Sequence, residues 1–214
     1  MDELNLIAEN IRASMEAKNK ARDEAVTRSR ELIRYCAESI RAIHRREWDN
    51  ADIKMATAKE AADQLRAVVA GYPDLYHSGY TQDALKEVVE AFSTYAIIRE
   101  RPLPTPQSLD VEDAVYLNGL AEAATELRRF ILDILRRKDG ESDEAERLLD
   151  WMDSIYDQLV TFDFPDAITG GLRRQTDVVR GVLERTRGDL TTTFQQQRLQ
   201  DALQRFEERI DSKG

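Results

Sequence analysis

Between Asp2 and about Arg46 the chain contains neither glycine nor proline, and this unbroken run constrains the fold more than any other feature. Glycine gains too much freedom on unfolding and proline lacks an N–H donor, so a segment that avoids both is free to form one long helix. Within it Val26, Ser29, Ile33, Cys36, Ile40 and Ile43 recur at alternating steps of three and four. That spacing lays them along one helical face and predicts a buried seam.

The remainder is equally poor in breakers. Only 9 Gly and 5 Pro occur in 214 residues, and charged residues make up 34%. Long helices with solvated faces fit this balance, and a β-sandwich or barrel does not. The length suits one domain, residues 1–214, with its own core. A second helix is predicted from about Asp49 to Ala70, stopping at Gly71-Tyr72-Pro73, and a third from Thr81, read as an N-cap, to about Arg101. Pro102-Leu-Pro-Thr-Pro106 reads as a loop. Asp110, with Asp113 three positions on, predicts the start of a helix that reaches Lys138 and stops at Asp139-Gly140. Ser142 opens an acidic helix to about Thr161, and Phe162 to Gly171 is a break. A helix follows over Leu172 to Arg187, and Asp189 or Thr191 begins a last one ending near Ile210. The expectation is six or seven helices and no strand, an all-α fold.

Several kinds of chemistry are excluded by residue supply. Cys36 stands alone, so there is no internal disulfide and no cysteine zinc site. His44 and His77 are too few for a histidine metal cage, and neither lies near a Gly-x-Ser-x-Gly turn. No run of about 18 apolar residues occurs, and the opening MDELNLIAEN is acidic, so the chain reads as soluble and cytoplasmic with no membrane partner. The net charge of −10 is unevenly spread: residues 12–46 hold ten Arg/Lys against five acids, whereas residues 141–166 hold one Arg against nine. Placement therefore matters more than the total for an anionic partner.

Arg30, Arg34, Arg41 and Arg45 fall on one stripe of the first helix, beside the apolar seam. Guanidinium groups offer paired donors at fixed geometry, so such a row can follow a phosphate backbone; the plainer alternative is a solvated face with partners such as Glu38. Arg173, Arg174, Arg180, Arg185 and Arg187 form a second such set. His44 and His77 read as helix-end or surface residues, and Trp48, Trp151, Tyr95 and Tyr116 as core or interface.

The sharper pattern flanks the proline loop. Glu87-Val-Val-Glu90 puts two carboxylates one turn apart inside the apolar run Leu85, Val88, Val89, Ala91, Phe92. Glu122 and Glu126 stand i,i+4 among Leu117, Leu120, Ala121, Ala124, Leu127 and Phe130. Like charges at that spacing repel, so each pair calls for a cation, either an arginine such as Arg128 or Arg129 or a metal ion. Four carboxylates facing each other across two helices suit a hard ion, Mg²⁺ or Mn²⁺.

Arg30-Glu-Leu-Ile-Arg34, Ala42-Ile-His-Arg45, Val111-Glu-Asp113, Gly119-Leu-Ala-Glu-Ala-Ala-Thr-Glu-Leu-Arg-Arg129 and Leu172-Arg-Arg-Gln-Thr-Asp177 occur in an order and at positions that resemble the translin family over nearly the whole chain. That family comprises translin, a nucleic-acid binder, and its partner translin-associated factor X (Trax), the catalytic subunit of a Mg²⁺-dependent endoribonuclease. The resemblance implies a seven-helix, all-α bundle assembling into a closed octameric barrel around RNA. In the catalytic branch a Glu-x-x-Glu pair and an Asp-x-x-x-Glu pair bind the metal. The first matches Glu87 and Glu90 here, and the second matches Glu122 and Glu126, with Glu122 in place of the Asp. Translin itself lacks most of these acids, so the set implies the catalytic branch. Single-chain relatives of this kind occur in archaea, which makes an archaeal source an expectation.

The reading is a Mg²⁺- or Mn²⁺-dependent endoribonuclease acting on RNA enclosed in a homo-octamer. Glu87, Glu90, Glu122 and Glu126 are the metal and catalytic residues, and Arg30, Arg34, Arg41, Arg45 and Arg129 contact the nucleic acid. Two alternatives stand beside it: a translin-like binder of single-stranded RNA or DNA without catalysis, and an all-α nucleotide pyrophosphatase.

Overall fold

A computed structural model describes residues 2–137 and 142–211. Six long helices carry the fold: α1 (Asp2–His44), α2 (Trp48–Val69), α4 (Gly79–Ile98), α6 (Asp113–Leu135), α7 (Ser142–Leu159) and α9 (Leu172–Asp211). Three single-turn helices join them, α3 (Pro73–Tyr76), α5 (Pro106–Leu109) and α8 (Asp166–Thr169), and no strand occurs among the described residues. The all-α expectation holds. The predicted stop at Asp139-Gly140 lies outside the described residues.

The long helices pack in sequence: α1 against α2 and α4, α4 against α6, and α6 against α7 and α9. One apolar cluster runs through them, with Leu32, Ile43, Leu65, Leu85, Ile97, Leu127, Phe130, Ile131 and Leu148 among its largest members. The seam of α1 is set one residue back from the predicted one at two places. Ala25 and Leu32 are fully buried where Val26 and Ile33 are half-buried, because α1 meets two neighbours and its buried face is wider than a single row.

Helix starts differ most from expectation. Thr81 is inside α4, not at its cap, and its buried Oγ1 donates to the Leu75 carbonyl at 2.8 Å. Asp110 is the left-handed residue that ends α5 (φ 52°), while α6 begins at Asp113. The capping box is one element earlier. Ser108 N–H donates to Thr105 Oγ1 (3.1 Å) and Thr105 N–H to Ser108 Oγ (2.9 Å), so Pro106 opens a helical turn at N1 rather than extending the loop. The break at 162–171 contains α8, whose Thr169 carbonyl accepts from Asn118 Nδ2 at 2.8 Å.

The two C-terminal helices of the sequence reading are one. Gly188 does not interrupt α9, because Val179, Leu183, Thr186 and Leu190 are buried on either side of it and Asp189 pairs with Arg128 of α6 at 2.8 Å. Tertiary packing outweighs the roughly 1 kcal/mol that one glycine costs a helix. No described helix is long and apolar enough to cross a membrane.

Candidate metal centre

α4 and α6 approach each other unusually closely, and Gly119 permits it. A Cβ at 119 would lie 2.5 Å from Val89 Cβ and 2.7 Å from the Lys86 carbonyl oxygen, both well inside contact distance. Bare backbone at this point lets Glu87 and Glu90 on α4 face Glu122 on α6. Carboxylate oxygens of these three residues lie within 4.8 Å of one another, and all three side chains are half-buried.

The cluster is short of positive charge. Glu122 Oε1 accepts from Lys86 Nζ at 2.7 Å and from Gln175 Nε2 at 3.3 Å, but its Oε2 is buried with no hydrogen-bond partner. Burial, followed by the fields of Glu87, Glu122 and Glu126, pushes the Glu90 carboxyl up to about 8. Burial and the neighbouring Glu122 raise Glu87 as well. One lysine does not balance three carboxylates, and the orphaned Oε2 marks where a cation fits. The donors are all oxygen, which suits Mg²⁺ or Mn²⁺ over softer metals.

Glu126, one turn along α6, stands outside the trio. Burial acts to raise its carboxyl, but the His44 ring and the Arg129 guanidinium beside it together outweigh this and hold it below the ordinary range. His44 Nε2 lies 2.5 Å from Glu126 Oε1, and Arg129 Nη1 is 3.4 Å from the same oxygen. An ionised carboxylate only accepts, so Nε2 carries the proton. The His44 side chain is 5% exposed, its Nδ1 is 3.6 Å from Asp133 Oδ2, and its ring packs against Phe130. The expectation of a partly exposed helix-end histidine is therefore corrected, because the C-terminal turn of α1 is covered by α6.

The arginines predicted to meet phosphate form an open face. Arg30, Arg34, Arg41 and Arg45 are all exposed along α1. Arg34 is 4.0 Å from Glu38 and Arg45 is 3.9 Å from Glu47, while Arg30 and Arg41 have no ion pair among the described residues. Of the second set, Arg180 pairs with Glu184 at 3.2 Å and Arg187 with Asp153 at 2.5 Å. Arg128 is taken up by Asp189 and Thr186, leaving Arg129 as the arginine next to Glu126. His77 is exposed, 3.5 Å from Glu112. The aromatics fill packing roles, with Trp48 under Arg99 and Tyr116 Oη donating to the Pro104 carbonyl.

His44, Lys86, Gln175 and Gly119 were not singled out as site residues by the spacing of the acids. Each acts across helices; His44, Gln175 and Gly119 lie within the motifs that carry the family resemblance, and Lys86 lies in none of them.

No family model matches the sequence. An uncharacterized protein of Methanocaldococcus jannaschii is 34% identical over 209 residues, spanning 97% of this chain and 90% of that protein. The crystal structure of AfC3PO aligns with a TM-score of 0.80 at 34% identity over 87% of this chain and 96% of that one. AfC3PO in complex with duplex RNA gives 0.79 at the same identity, over 87% and 95%. Apo-NeC3PO, at 22% identity and a TM-score of 0.78 over 87% and 96%, shares the fold. A likeness of this strength over most of both chains extends past architecture to descent: this chain belongs to the translin/C3PO family, on its Trax-like side.

Proposed function

We propose that the protein is a Mg²⁺- or Mn²⁺-dependent endoribonuclease working on RNA held in a closed homo-octamer. The observation that supports it is the glutamate trio with its orphaned Glu122 Oε2. Glu87, Glu90 and Glu122, with Glu126 one turn along α6, would hold the ion, which would supply a Lewis acid for a phosphoryl oxygen. Glu122, in place of the family's Asp, reaches the trio from α6 because Gly119 lets the helices close up. Glu126, kept ionised beside His44, takes the proton as the water oxygen bonds to phosphorus. The P–O ester bond breaks, and the departing oxygen is protonated by solvent. In this reading Arg129, beside Glu126, steadies the scissile phosphate, and the exposed Arg30, Arg34, Arg41 and Arg45 follow the backbone. The complex of AfC3PO with duplex RNA favours RNA as the polymer, and single-stranded DNA is a second candidate ligand.

A binding protein without catalysis is the second reading. It rests on Lys86, whose ammonium already meets Glu122 Oε1 as a structural counter-ion would. Labelled single- and double-stranded RNA incubated with Mg²⁺, Mn²⁺ or EDTA separates the two, beside a Glu122→Ala/Glu126→Ala variant. Cleavage that needs the ion and vanishes in the variant supports the nuclease. Salt-sensitive binding with intact RNA in every lane supports the binder.

A further inference from the structure

We infer that the cleft between the opening turns of α4, α6 and α9, lined also by α8, seats one nucleotide of the RNA, its phosphate toward Lys86 and Arg174 and its base on an aliphatic wall. That this nucleotide adjoins the bond to be cut rests on the nuclease reading above. The cleft measures about 650 Å³, within the range of small-ligand sites. Gly170 and Gly171, left-handed at φ 60° and 85°, carry the chain from α8 into α9 and leave that stretch of wall without side chains.

The cleft adjoins the metal centre. Lys86 and Gln175 both line it, and both hold Glu122 Oε1, at 2.7 and 3.3 Å. Its acids are answered by cations, since Asp83 lies 3.9 Å from Lys86 Nζ and Glu112 lies 3.5 Å from His77. Arg174 is the charge left over: it is exposed and has no ion pair among the described residues, although the chain carries a net charge of −10. A guanidinium beside an ammonium suits a phosphate, which accepts two parallel N–H bonds from the first. Ile168 and Val178, 64% and 45% exposed, line the same cleft. A nucleotide covers both kinds of surface at once, because its base presents a flat face to apolar groups and its phosphate is charged. Inorganic phosphate would leave the aliphatic wall bare, and an apolar peptide would leave Arg174 unanswered.

Isothermal titration in EDTA reads this site without metal or cleavage. Adenosine 5′-monophosphate is expected to bind the whole protein with a Kd of about 1 mM or below, and inorganic phosphate at least about tenfold more weakly. Arg174→Gln weakens the nucleotide about tenfold, as loss of a hydrogen bond to a charged group does. Val178→Glu, an exposed position where the helix tolerates a polar side chain, brings a like charge to the phosphate and weakens it at least as much. Lys59→Gln removes the same charge from the exposed surface of α2 and leaves binding within about twofold. In cleavage with Mn²⁺, Arg174→Gln raises KM about tenfold and keeps kcat within about threefold, the pattern of lost uniform binding. RNA carrying one abasic residue is cut about tenfold more slowly at one of the two bonds flanking it and normally elsewhere, a measurement that needs no protein variant.

Equal binding by Arg174→Gln, Val178→Glu and Lys59→Gln overturns the inference. So does a wild-type protein that binds no nucleotide at about 10 mM, phosphate bound as tightly as the nucleotide, or even cleavage around the abasic residue. RNA cut by Arg174→Gln with an unchanged KM removes the cleft and leaves the nuclease standing. Nucleotide binding that fails in Arg174→Gln and Val178→Glu, in a protein that cuts no RNA with either ion, keeps the cleft and removes the nuclease.

Discussion

Glu90 sits where water would normally solvate a carboxylate, and instead has Glu87 and Glu122 for neighbours. Its ordinary value is 4.5 and its folded value about 8, so between those limits the folded protein binds a proton that the unfolded chain does not. Stability without metal is therefore greatest at the acid end of that window and falls as pH rises through about 8. A divalent ion displaces the proton and reverses the trend. Thermal unfolding from pH 5 to 8.5 is expected to show a falling Tm in EDTA and a restored one with Mn²⁺. Glu90→Gln removes the penalty and raises the metal-free Tm at pH 8 by about 4 °C, on the scale of roughly 1–2 kcal/mol for a chain of this size. A pH-independent Tm in EDTA would contradict the burial argument. Residues such as Glu87, Glu90 and Glu122 could be read from the sequence because helical spacing alone puts them on one face of each helix. The orienting groups could not, since His44 comes from α1, Gln175 from α9, and Lys86 meets Glu122 only across the α4–α6 contact, and no local pattern encodes those meetings.

Gly119 is the point where one residue governs the relation between two helices. An added methyl would overlap Val89 Cβ and the Lys86 carbonyl, and the latter is backbone that cannot swing away. Gly119→Ala should cost about 1–3 kcal/mol, typical of overpacking, and lower Tm by several degrees. It should also weaken Mn²⁺ binding, because α4 moves off α6 and the trio widens. A glycine replaced in α9 acts in the other direction. A Cβ at Gly188 meets nothing within 4 Å, and the helix runs through it unbroken, so Gly188→Ala is expected to stabilise the protein by about 0.5–1 kcal/mol in thermal or urea unfolding. Destabilisation there would mean that the helix breaks at 188. The sequence located the long helices within a few residues because apolar periodicity reports burial directly. It misplaced the caps at Thr81, Asp110 and Asp189 because acids and hydroxyls also serve inside helices, as Thr81 does through the Leu75 carbonyl.

At the scale of the molecule, two long helices outrun the bundle. Along the opening of α1, Leu4, Ile7, Ile11 and Met15 are exposed at steps of three and four. Along the end of α9, Leu199, Leu203, Phe206 and Ile210 repeat the pattern and are 54–61% exposed. Stripes of this size are rare on a monomer and mark association surfaces. A second copy of the chain is the natural occupant under the closed-octamer proposal, since each copy offers the same two stripes for self-complementary burial. Leu199→Gln, Leu203→Gln and Phe206→Gln together keep helix propensity while removing the stripe. Light scattering should then show a smaller species than wild type at micromolar concentration, with the helical circular dichroism retained. RNA binding tests the same assembly independently. Enclosure brings the Arg30, Arg34, Arg41 and Arg45 rows of several copies around one RNA, so the wild-type slope of log affinity against log salt should exceed four, the number in one chain's row. The glutamine variant should lose that excess and fall to a slope of about four or less, because a lone copy presents a single row. A wild-type protein that is already monomeric, or a variant with an unchanged slope, would leave the arginine rows as an ordinary solvated face and remove the barrel from the proposal.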